Sequence, residues 1–307
     1  MAGSSGFLGS RLTARLRAGG HRVVRLVRRA ATEPDEVSWD PGSGQLDPAA
    51  VAGADALVNL AGSAIGVDLG RLAIPIRPWT AHYRDVFRSS RVDTTATLAR
   101  AAATADPRPA TFLAGSATGW YGDAGEADVD EQAPPGEGFM ADTCRVWEAA
   151  SGPAEAAGVR VVRLRTGMPL DRTGGLLGPM LLPFRLGAGA RLGSGRQWVP
   201  WISIADWLDA AVFLLERADI AGPVNMVGPT PATNAEFTRA LADLLHRPAV
   251  LALPPVLLRL AIGEFGRDAV ASKRVVPAVL NRAGFRFTHP DVRSALAAAL
   301  HSPVPQA

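Results

Sequence analysis

The first residues of the chain carry a glycine pattern whose spacing suits one kind of chemistry. Gly3, Gly6 and Gly9 recur three apart, and a helix-like run follows from residue 10 to residue 18. At a turn between a strand and a helix, glycines let the backbone approach a pyrophosphate, and the amide groups of the first helical turn face it. The sequence therefore predicts a dinucleotide site built from Gly3, Ser4, Ser5, Gly6, Phe7, Leu8 and Gly9.

The element that should precede this loop is nearly missing. A phosphate-binding turn follows a buried strand of roughly five residues, yet only Met1 and Ala2 stand before Gly3. Either the natural start lies upstream, or the first strand of the sheet is truncated. We expect an upstream start, and the intact N-terminal mass of the protein made from its natural gene would decide between the two.

Charges after the next strand-like run indicate which dinucleotide is bound. Residues 22–27 alternate and β-branch as a strand does, and Arg28 and Arg29 follow with no acid before Glu33. Dinucleotide folds that prefer NAD place a carboxylate near this strand end, whereas NADP needs arginine for its 2′-phosphate. The pair favours NADP over NAD, and the alternative is that both arginines are merely solvated.

The composition excludes several classes of function. With 307 residues, 48% of them hydrophobic, the chain can bury a large core. Its net charge is only +3 and no recognition motif accompanies its arginines, so we expect no nucleic-acid binding. The single cysteine excludes an internal disulfide, and the five histidines lack ligand spacing, so no metal site is predicted. No run has the length of a membrane span and no signal peptide opens the chain, so we expect a cytoplasmic protein without membrane contact.

Strand-like and helix-like segments alternate through the first half of the chain. Strands are expected at residues 56–62, 111–114 and 159–164, with helices at 79–103 and 139–157 between them. This alternation predicts an α/β fold, a Rossmann doubly wound parallel sheet with right-handed crossovers. We assign residues 1–167 to that domain, with 203–228 returning to it. Residues 168–202 and 229–307 form a smaller C-terminal α/β substrate domain.

The carboxyl ends of the predicted strands supply further cofactor-binding candidates. The strand at residues 56–62 ends in small residues, where backbone can pass close to a cofactor. The candidates are Asn59, Leu60, Ala61 and Gly62 at that strand, with Gly115 and Arg165 at the ends of two later strands.

Hydroxyl groups after the strand at residues 111–114 are the candidates for catalysis, because an α/β sheet carries its chemistry at this edge. Ser116 and Tyr121 are the predicted catalytic residues, and Thr118 is a predicted substrate contact. Tyr121, with an ordinary pKa near about 10, can exchange a proton with a substrate if its phenol points into the cleft. The alternative is that it packs under the loop.

A glycine-rich stretch from residue 174 to residue 195 is typical of a substrate cover rather than of a core layer. Gln197 and Trp201, which follow it, are predicted substrate contacts, with loop packing as the alternative. Asp206 and Glu236 each stand three residues after a serine or threonine, so we predict helix caps there rather than catalysts.

Together these motifs resemble the atypical extended short-chain dehydrogenase/reductases, the NAD(P)-dependent epimerase-like family with a C-terminal DUF1731 domain. The similarity covers nearly the whole chain. Besides the glycine loop, the motifs that carry it are Asn59 to Gly62, Trp79-Thr80, Ser90-Arg91, Gly174-Gly175, Met180 to Phe184, Leu192 to Gln197, Trp201 to Asp206, Gly222 to Asn225, Asn234 to Phe237 and Ser272 to Pro277. The resemblance implies an NADP-binding Rossmann domain with a smaller C-terminal domain over the cofactor, and it leaves the reaction open.

One part of the family pattern is missing. Extended relatives use a serine or threonine after the fourth strand together with a Tyr-x-x-x-Lys pair on the next helix, and Ser116 matches the hydroxyl position. The two tyrosines, Tyr83 and Tyr121, have no lysine four residues on. Alignment through Trp147-Glu148 places Met140 where the tyrosine should be and Cys144 where the lysine should be. We expect Cys144 to be a small apolar side chain rather than a nucleophile.

Two functions of different classes stay open at this point. The first is an NADP-dependent oxidoreductase or epimerase that acts on a hydroxyl or keto group of a small sugar-like substrate. The second is a non-catalytic NADP-binding sensor or assembly protein, which the missing pair favours. The sequence does not identify the small-molecule substrate. It is compatible with a monomer or with a homodimer formed through the helix at residues 79–103.

Overall fold

The computed structural model describes residues 1–63, 80–254, 256 and 271–301. Its strands are β1 (Arg25–Val27), β2 (Glu36–Ser38), β3 (Ala56–Asn59), β4 (Thr111–Ala117), β5 (Asp128–Val129), β6 (Arg160–Thr166), β7 (Met168–Leu170), β8 (Ala190–Leu192), β9 (Trp198–Val199), β10 (Trp201–Ser203), β11 (Gly222–Met226), β12 (Ala232–Thr233), β13 (Leu251–Leu253) and β14 (Arg274–Val275). The α-helices are α1 (Phe7–Ala18), α2 (Ala81–Thr104), α3 (Phe139–Ala149), α4 (Gly152–Ala156), α5 (Leu177–Arg185), α6 (Ile204–Glu216), α7 (Asn234–Leu245), α8 (Ala278–Arg282) and α9 (Val292–His301).

A parallel sheet forms the centre of the first part of the chain. Strands β3, β4, β6 and β11 pair in that spatial order, and β1 pairs with β2. Ala2 joins the two groups, since it forms parallel bridges to Leu26 of β1 and to Asn59 of β3. The order β2, β1, Ala2, β3, β4, β6, β11 reverses direction at Ala2, which confirms the doubly wound Rossmann fold.

The residues before the glycine loop therefore occupy the central position of the sheet. The Ala2 amide donates to Val58 O at 2.9 Å, and the Leu26 amide donates to Met1 O at 2.8 Å. The Met1 amino group donates to Val24 O at 2.7 Å, and burial lowers its pKa to about 6. Met1 and Ala2 thus pair with the chain on both sides, and they aim Gly3 at the carboxyl edge.

Helices cover both faces of this sheet. On one face Leu12 of α1 and Trp207 of α6 are buried against the apolar side chains of β4, β6 and β11. On the other face Leu98 of α2 and Ala154 of α4 pack on β3, β4 and β6. Burial of these two apolar layers is the main force that holds the sheet, because each buried Leu- or Phe-sized side chain contributes about 1.5–3 kcal/mol.

A second cluster of elements lies beyond β6. Strand β10 pairs with β7, β12 with β9 and β13 with β8, and helices α5, α7 and α9 pack around Trp201 and Phe237 in a core of their own. The glycine-rich stretch was expected to cover a substrate rather than to add to a core layer, yet α5 forms within it at Leu177–Arg185, although the helix contains Pro183. Its buried side chains Leu177, Leu181 and Phe184 recur at helical spacing, and this burial outweighs the glycines around them.

Several predicted boundaries hold, and one predicted helix is broken in two. The helix predicted at residues 139–157 is broken between α3 and α4, where Gly152 and Pro153 restart the chain with a proline in the first turn. The long helix is confirmed as Ala81–Thr104, while Trp79, part of the motif expected at its start, lies outside the described residues. Ser203 caps α6 and Thr233 forms a full capping box with Glu236, as predicted.

Within the ranges that the structure describes, no helix has both the length and the apolar character needed to cross a bilayer.

Candidate functional site

The glycine loop is a cradle in which side chains would not fit. Gly3 has φ of 76°, and a Cβ added there would lie 2.5 Å from the Leu60 carbonyl carbon. A Cβ on Gly9 would lie 1.9 Å from Gly3 O. Gly6 is the N-cap of α1 without a side-chain hydrogen bond, and the first turn holds no acidic residue. The backbone donors of this turn are thus left for an anion, and the cradle fits the diphosphate of a dinucleotide.

The end of β3 forms the opposite wall of this cradle. The Leu60 amide donates to Ala2 O at 3.1 Å, so residues 60 and 61 run beside Gly3. The Asn59 side chain is fully buried: its amide nitrogen lies 2.9 Å from Thr95 Oγ1, and its Oδ1 accepts from the Ala61 amide at 3.1 Å. Asn59 therefore shapes the wall from below, and the backbone of Ala61 and Gly62 forms its surface.

The two predicted 2′-phosphate ligands differ in their availability. Arg29 is paired with Glu36 through contacts of 2.7 and 2.6 Å, and the Arg29 hydrogen bonds lower the pKa of Glu36 to about 2. Arg28 is exposed, and within the described residues its side chain forms neither a hydrogen bond nor an ion pair. Arg28 is thus the arginine that is free to meet a phosphate at the end of β1.

Ser116 belongs to a buried polar chain that crosses the end of the sheet. Its hydroxyl donates to Glu148 Oε1 at 2.6 Å. The Arg165 guanidinium holds the same carboxylate, with Nε 2.9 Å from Oε1 and Nη2 3.1 Å from Oε2. The exposed fraction is 3% for Ser116, 7% for Glu148 and 2% for Arg165. The Ser116 hydroxyl therefore uses its proton in the hydrogen bond to Glu148, and the Arg165 guanidinium is hydrogen-bonded within the protein.

Tyr121 continues this chain into the elements beyond the sheet. Its hydroxyl donates to Asn225 Oδ1 at 2.7 Å and accepts from Arg165 Nη1 at 3.0 Å. Burial raises the Tyr121 pKa to about 12. Both partners are part of the protein, so the geometry favours packing under the loop over proton transfer. The catalytic role of Tyr121 stays a prediction.

Glu131 closes the chain on its far side. Its Oε1 accepts from the amides of Asn225 and Val279 at 3.1 and 3.2 Å. Its Oε2 is buried and has no hydrogen-bond partner among the described residues, and burial raises the pKa of this carboxyl above its ordinary value. The network therefore ties β4, α3, β6 and β11 to the start of α8.

The side chains at the positions of the missing tyrosine and lysine are apolar, and both pack against the turn after β4. A Cβ on Gly119, in the turn after β4, would lie 3.1 Å from Met140 Cβ and 3.6 Å from Cys144 Sγ. Cys144 Sγ is 3.6 Å from Ala117 O, and burial raises the thiol pKa to about 12. Met140 and Cys144 thus lie where the family pair would act, and neither exchanges a proton at neutral pH.

The remaining predicted residues are held by local contacts. Thr118 is buried in the turn after β4. The Gln197 side chain donates to Leu192 O at 2.9 Å, and the Trp201 indole donates to Thr230 O at 3.0 Å. The indole of Trp147 packs on Gly115, where an added Cβ would lie 2.9 Å from Cζ2. These contacts favour loop packing for Gln197 and Trp201, and their substrate roles stay predictions.

Sequence reasoning missed the acid of the buried network. Glu148 was used only to align α3, yet it holds both Ser116 and Arg165. A signal was present: β6 holds three arginines, and Arg165 is the one at a buried position, where a guanidinium requires a carboxylate partner. The sequence did not show which of the acids in the chain it would be.

The parallel sheet, with a glycine cradle where its strand order reverses, defines a dinucleotide-binding protein of the Rossmann class. A family model described as the NAD dependent epimerase/dehydratase family matches residues 1–228, and one described as a domain of unknown function, DUF1731, matches residues 253–299. The chain belongs to the NAD dependent epimerase/dehydratase family and carries the DUF1731 domain, as the motifs indicated.

Relatives of full length support this assignment. An epimerase family protein of Mycobacterium bovis, Mb2239, is 44% identical, with 99% of this chain and 97% of the relative covered. The human epimerase family protein SDR39U1 is 34% identical over 96% of this chain and 97% of its own length.

Solved structures give the same picture. The crystal structure of human SDR39U1, isoform 2, with NADPH has a TM-score of 0.86 at 33% identity and covers 98% of both chains. A structure described as the nucleoside-diphosphate sugar epimerase from Corynebacterium glutamicum has a TM-score of 0.78 at 32% identity and covers 97% of this chain and 57% of that one.

Proposed function

We propose that this protein binds NADP in the cradle of residues 3–9 and is an oxidoreductase or epimerase that acts on a hydroxyl or keto group of a small, sugar-like substrate. The observation that carries the proposal is the cradle itself. Gly3 and Gly9 leave no room for a Cβ there, and no side chain caps the N-terminus of α1. The NADPH in the human relative and the sugar nucleotide activity named for the corynebacterial relative support the choice of cofactor and substrate class.

Arg28 supports NADP over NAD. It is exposed at the end of β1 without a partner in the described part of the chain, whereas Arg29 is neutralised by Glu36. A guanidinium at this strand end can bind a 2′-phosphate through two hydrogen bonds, whereas the 2′-hydroxyl of NAD offers it no negative charge.

Calorimetric titration with NADPH and with NADH tests the cofactor. We expect tight NADPH binding and weak NADH binding by the unaltered chain. Arg28→Gln should weaken NADPH binding on the order of tenfold and leave NADH binding unchanged, since one charge-assisted hydrogen bond contributes about 1.5–3 kcal/mol. Arg22→Gln, which removes an exposed arginine before β1, is the matched control. Equal affinity for the two cofactors would contradict the proposal.

The chemistry would be hydride exchange with the bound nicotinamide, and the protein must then orient the substrate and move one proton. Ser116 has lone pairs left after it donates to Glu148, so it can accept a hydrogen bond from a substrate hydroxyl. Thr118, in the same turn, is a second hydroxyl. Neither residue replaces the proton-transferring tyrosine of a Tyr-x-x-x-Lys pair, so we expect slow turnover.

A second function has an observation of its own. The hydroxyl of Tyr121 and the proton of Ser116 are both bound inside the protein, and Met140 and Cys144 cannot transfer protons. This arrangement favours an NADP-binding sensor or assembly protein without turnover. Two assays separate the two functions: NADPH oxidation with small ketones, and interconversion of UDP-glucose and UDP-galactose with NADP⁺ present, followed by chromatography. Turnover that Ser116→Ala abolishes, with NADPH binding intact, supports the enzyme, and no turnover in either assay supports the sensor.

A further inference from the structure

Arg91, on α2, lies at the carboxyl edge of the sheet between the ends of β3 and β4. Its Nη2 donates to Ser63 O at 3.0 Å, and a Cβ on Gly62 would lie 3.2 Å from both Cγ and Cζ of Arg91. Asn59, the last residue of β3, is bonded to Thr95 one turn further along the helix. Arg91 is therefore one turn closer to the site than the residue that anchors the strand end.

The guanidinium is wedged between aromatic rings. Its Cζ is 3.5 Å from the centroid of Phe87 and 5.4 Å from that of Trp147, whose indole packs on Gly115 of β4. Cys144 and Tyr83 are close enough to interact electrostatically with it. Arg91 thus faces the helix position that holds lysine in the Tyr-x-x-x-Lys pattern.

The charge of Arg91 has no counter-ion among the residues that the structure describes. Its guanidinium donates to the carbonyl oxygens of Phe87 and Ser63, and no carboxylate in the described part of the chain pairs with it. Burial lowers its pKa to about 10, so it stays a cation at neutral pH. A partly buried arginine is ordinarily paired with an acid, because an unpaired buried charge is costly. The positive charge of Arg91 therefore acts on any group that is bound beside it.

A nicotinamide is the group that the sheet places there. A dinucleotide lies across the point where strand order reverses, with one half on each side of it. The end of β1, with Arg28, takes the adenosine half. The nicotinamide half is then left for the ends of β3 and β4, where Arg91 lies.

We propose that Arg91 places a fixed positive charge in the nicotinamide half of the site and so makes the protein favour NADPH over NADP⁺. This inference rests on the NADP binding proposed above. The oxidised ring carries a positive charge and the reduced ring is neutral, so a nearby cation repels only the oxidised form. The missing lysine of the family pattern is thereby replaced by an arginine from a different helix.

Paired titrations with NADPH and NADP⁺ test this without any substrate. We expect Arg91→Met, which keeps an apolar side chain against Phe87, to lower the ratio of the NADP⁺ and NADPH dissociation constants on the order of tenfold. That change corresponds to about 30 mV in the potential of the bound pair. Arg91→Lys should retain most of the unaltered ratio, because it keeps the charge.

Arg100→Gln is the matched control, since Arg100 is an exposed arginine of the same helix that donates to Gly44 O at the opposite edge of the sheet. It should leave both constants unchanged. Arg91→Gln gives a second neutral variant if Arg91→Met fails to fold in a thermal melt. An unchanged ratio in a folded neutral variant overturns the inference even where both affinities fall, because a purely structural arginine weakens the two forms alike. Absence of NADPH binding by the unaltered chain overturns the proposed function and this inference together.

Discussion

Gly9 shows how tightly the cofactor loop is folded on itself. A Cβ there would lie 1.9 Å from Gly3 O and 2.7 Å from the Gly3 carbonyl carbon, both backbone atoms that no rotamer change can move. The close approach turns the amides of α1 towards the cradle, so glycine is required for geometry rather than for flexibility.

Gly9→Ala should therefore damage the site more than the fold. We expect NADPH affinity to fall on the order of tenfold or more as the loop shifts, with a stability loss of about 1–3 kcal/mol. Calorimetry and thermal melts measure the two effects. Gly152→Ala is the control, because nothing lies within 4 Å of a Cβ at Gly152. Unaltered NADPH binding by Gly9→Ala would contradict the assignment of the cradle.

The buried thiol of Cys144 is predicted to react slowly in the folded protein. Burial raises the thiol pKa to about 12 and leaves 1% of the residue exposed. The thiolate at mildly alkaline pH is then roughly a thousandfold scarcer than for a free cysteine. We expect a thiol reagent to label the native chain orders of magnitude more slowly than the chain in urea. Because Cys144 is the one cysteine, rapid native labelling would show directly that its helix face is open.

Strand β6 and helix α3 meet through an ion pair rather than through apolar contact alone. Arg165 and Glu148 form two hydrogen bonds, and Ser116 of β4 adds a third. A buried pair of this kind adds little net stability, but removal of one partner leaves the other charge buried and alone.

Glu148→Gln isolates that effect, since it keeps the shape and removes the charge. We expect a loss of about 3 kcal/mol in the free energy of unfolding, measured by urea denaturation. Asp142→Asn on the same helix breaks the exposed pair with Arg145 and should cost less than about 1 kcal/mol. A similar small loss for both variants would mean that Arg165 finds another acceptor when Glu148 is neutral.

The elements could be predicted from the sequence better than the site could. Apolar periodicity located α1, α2, β4 and β6, because each buries one face and the pattern is local. The central position of Ala2 was expected from the glycine loop rather than from periodicity, since Met1 and Ala2 are too few to show a period and the bridges of Ala2 to Leu26 and Asn59 are made across the sheet. Helix α5 was not predicted because the glycines around it drew attention away from Leu177 and Leu181, whose burial stabilises the helix.

The site depends on contacts between segments that are far apart in sequence. The hydroxyls of Ser116 and Tyr121 were found because they follow the strand predicted at residues 111–114, but their partners Glu148 and Asn225 come from other elements. Residue type and spacing identify groups that can do chemistry. Residue type and spacing do not show which of these groups already form hydrogen bonds within the protein. Here such hydrogen bonds decide which side chains are free.

On the scale of the whole molecule, the cofactor loop is joined to the chain beyond the sheet. Arg11 of α1 donates to Asp171 at 2.9 Å, and Asp171 is buried. The Phe7 ring lies under the loop at residues 171–175, where a Cβ on Gly174 would be 2.4 Å from it. The Arg11 guanidinium carbon lies 4.5 Å from the centroid of the Phe7 ring. A ligand that orders residues 3–9 must therefore also order this loop.

Hydrogen exchange measures that coupling. We expect saturating NADPH to slow amide exchange at residues 171–175 as well as in the cradle, because a ligand at 100 times its dissociation constant adds about 2.7 kcal/mol to any opening that releases it. Asp171→Asn should reduce the protection at residues 171–175 and leave that in the cradle largely intact, since it removes the ion pair but not the glycines. Asp209→Asn, which breaks the exposed pair between α6 and Arg15 of α1, should change neither. If NADPH protects the cradle of the unaltered chain but not residues 171–175, the two parts move independently, and the contacts of Phe7 and Arg11 do not transmit cofactor binding across the molecule.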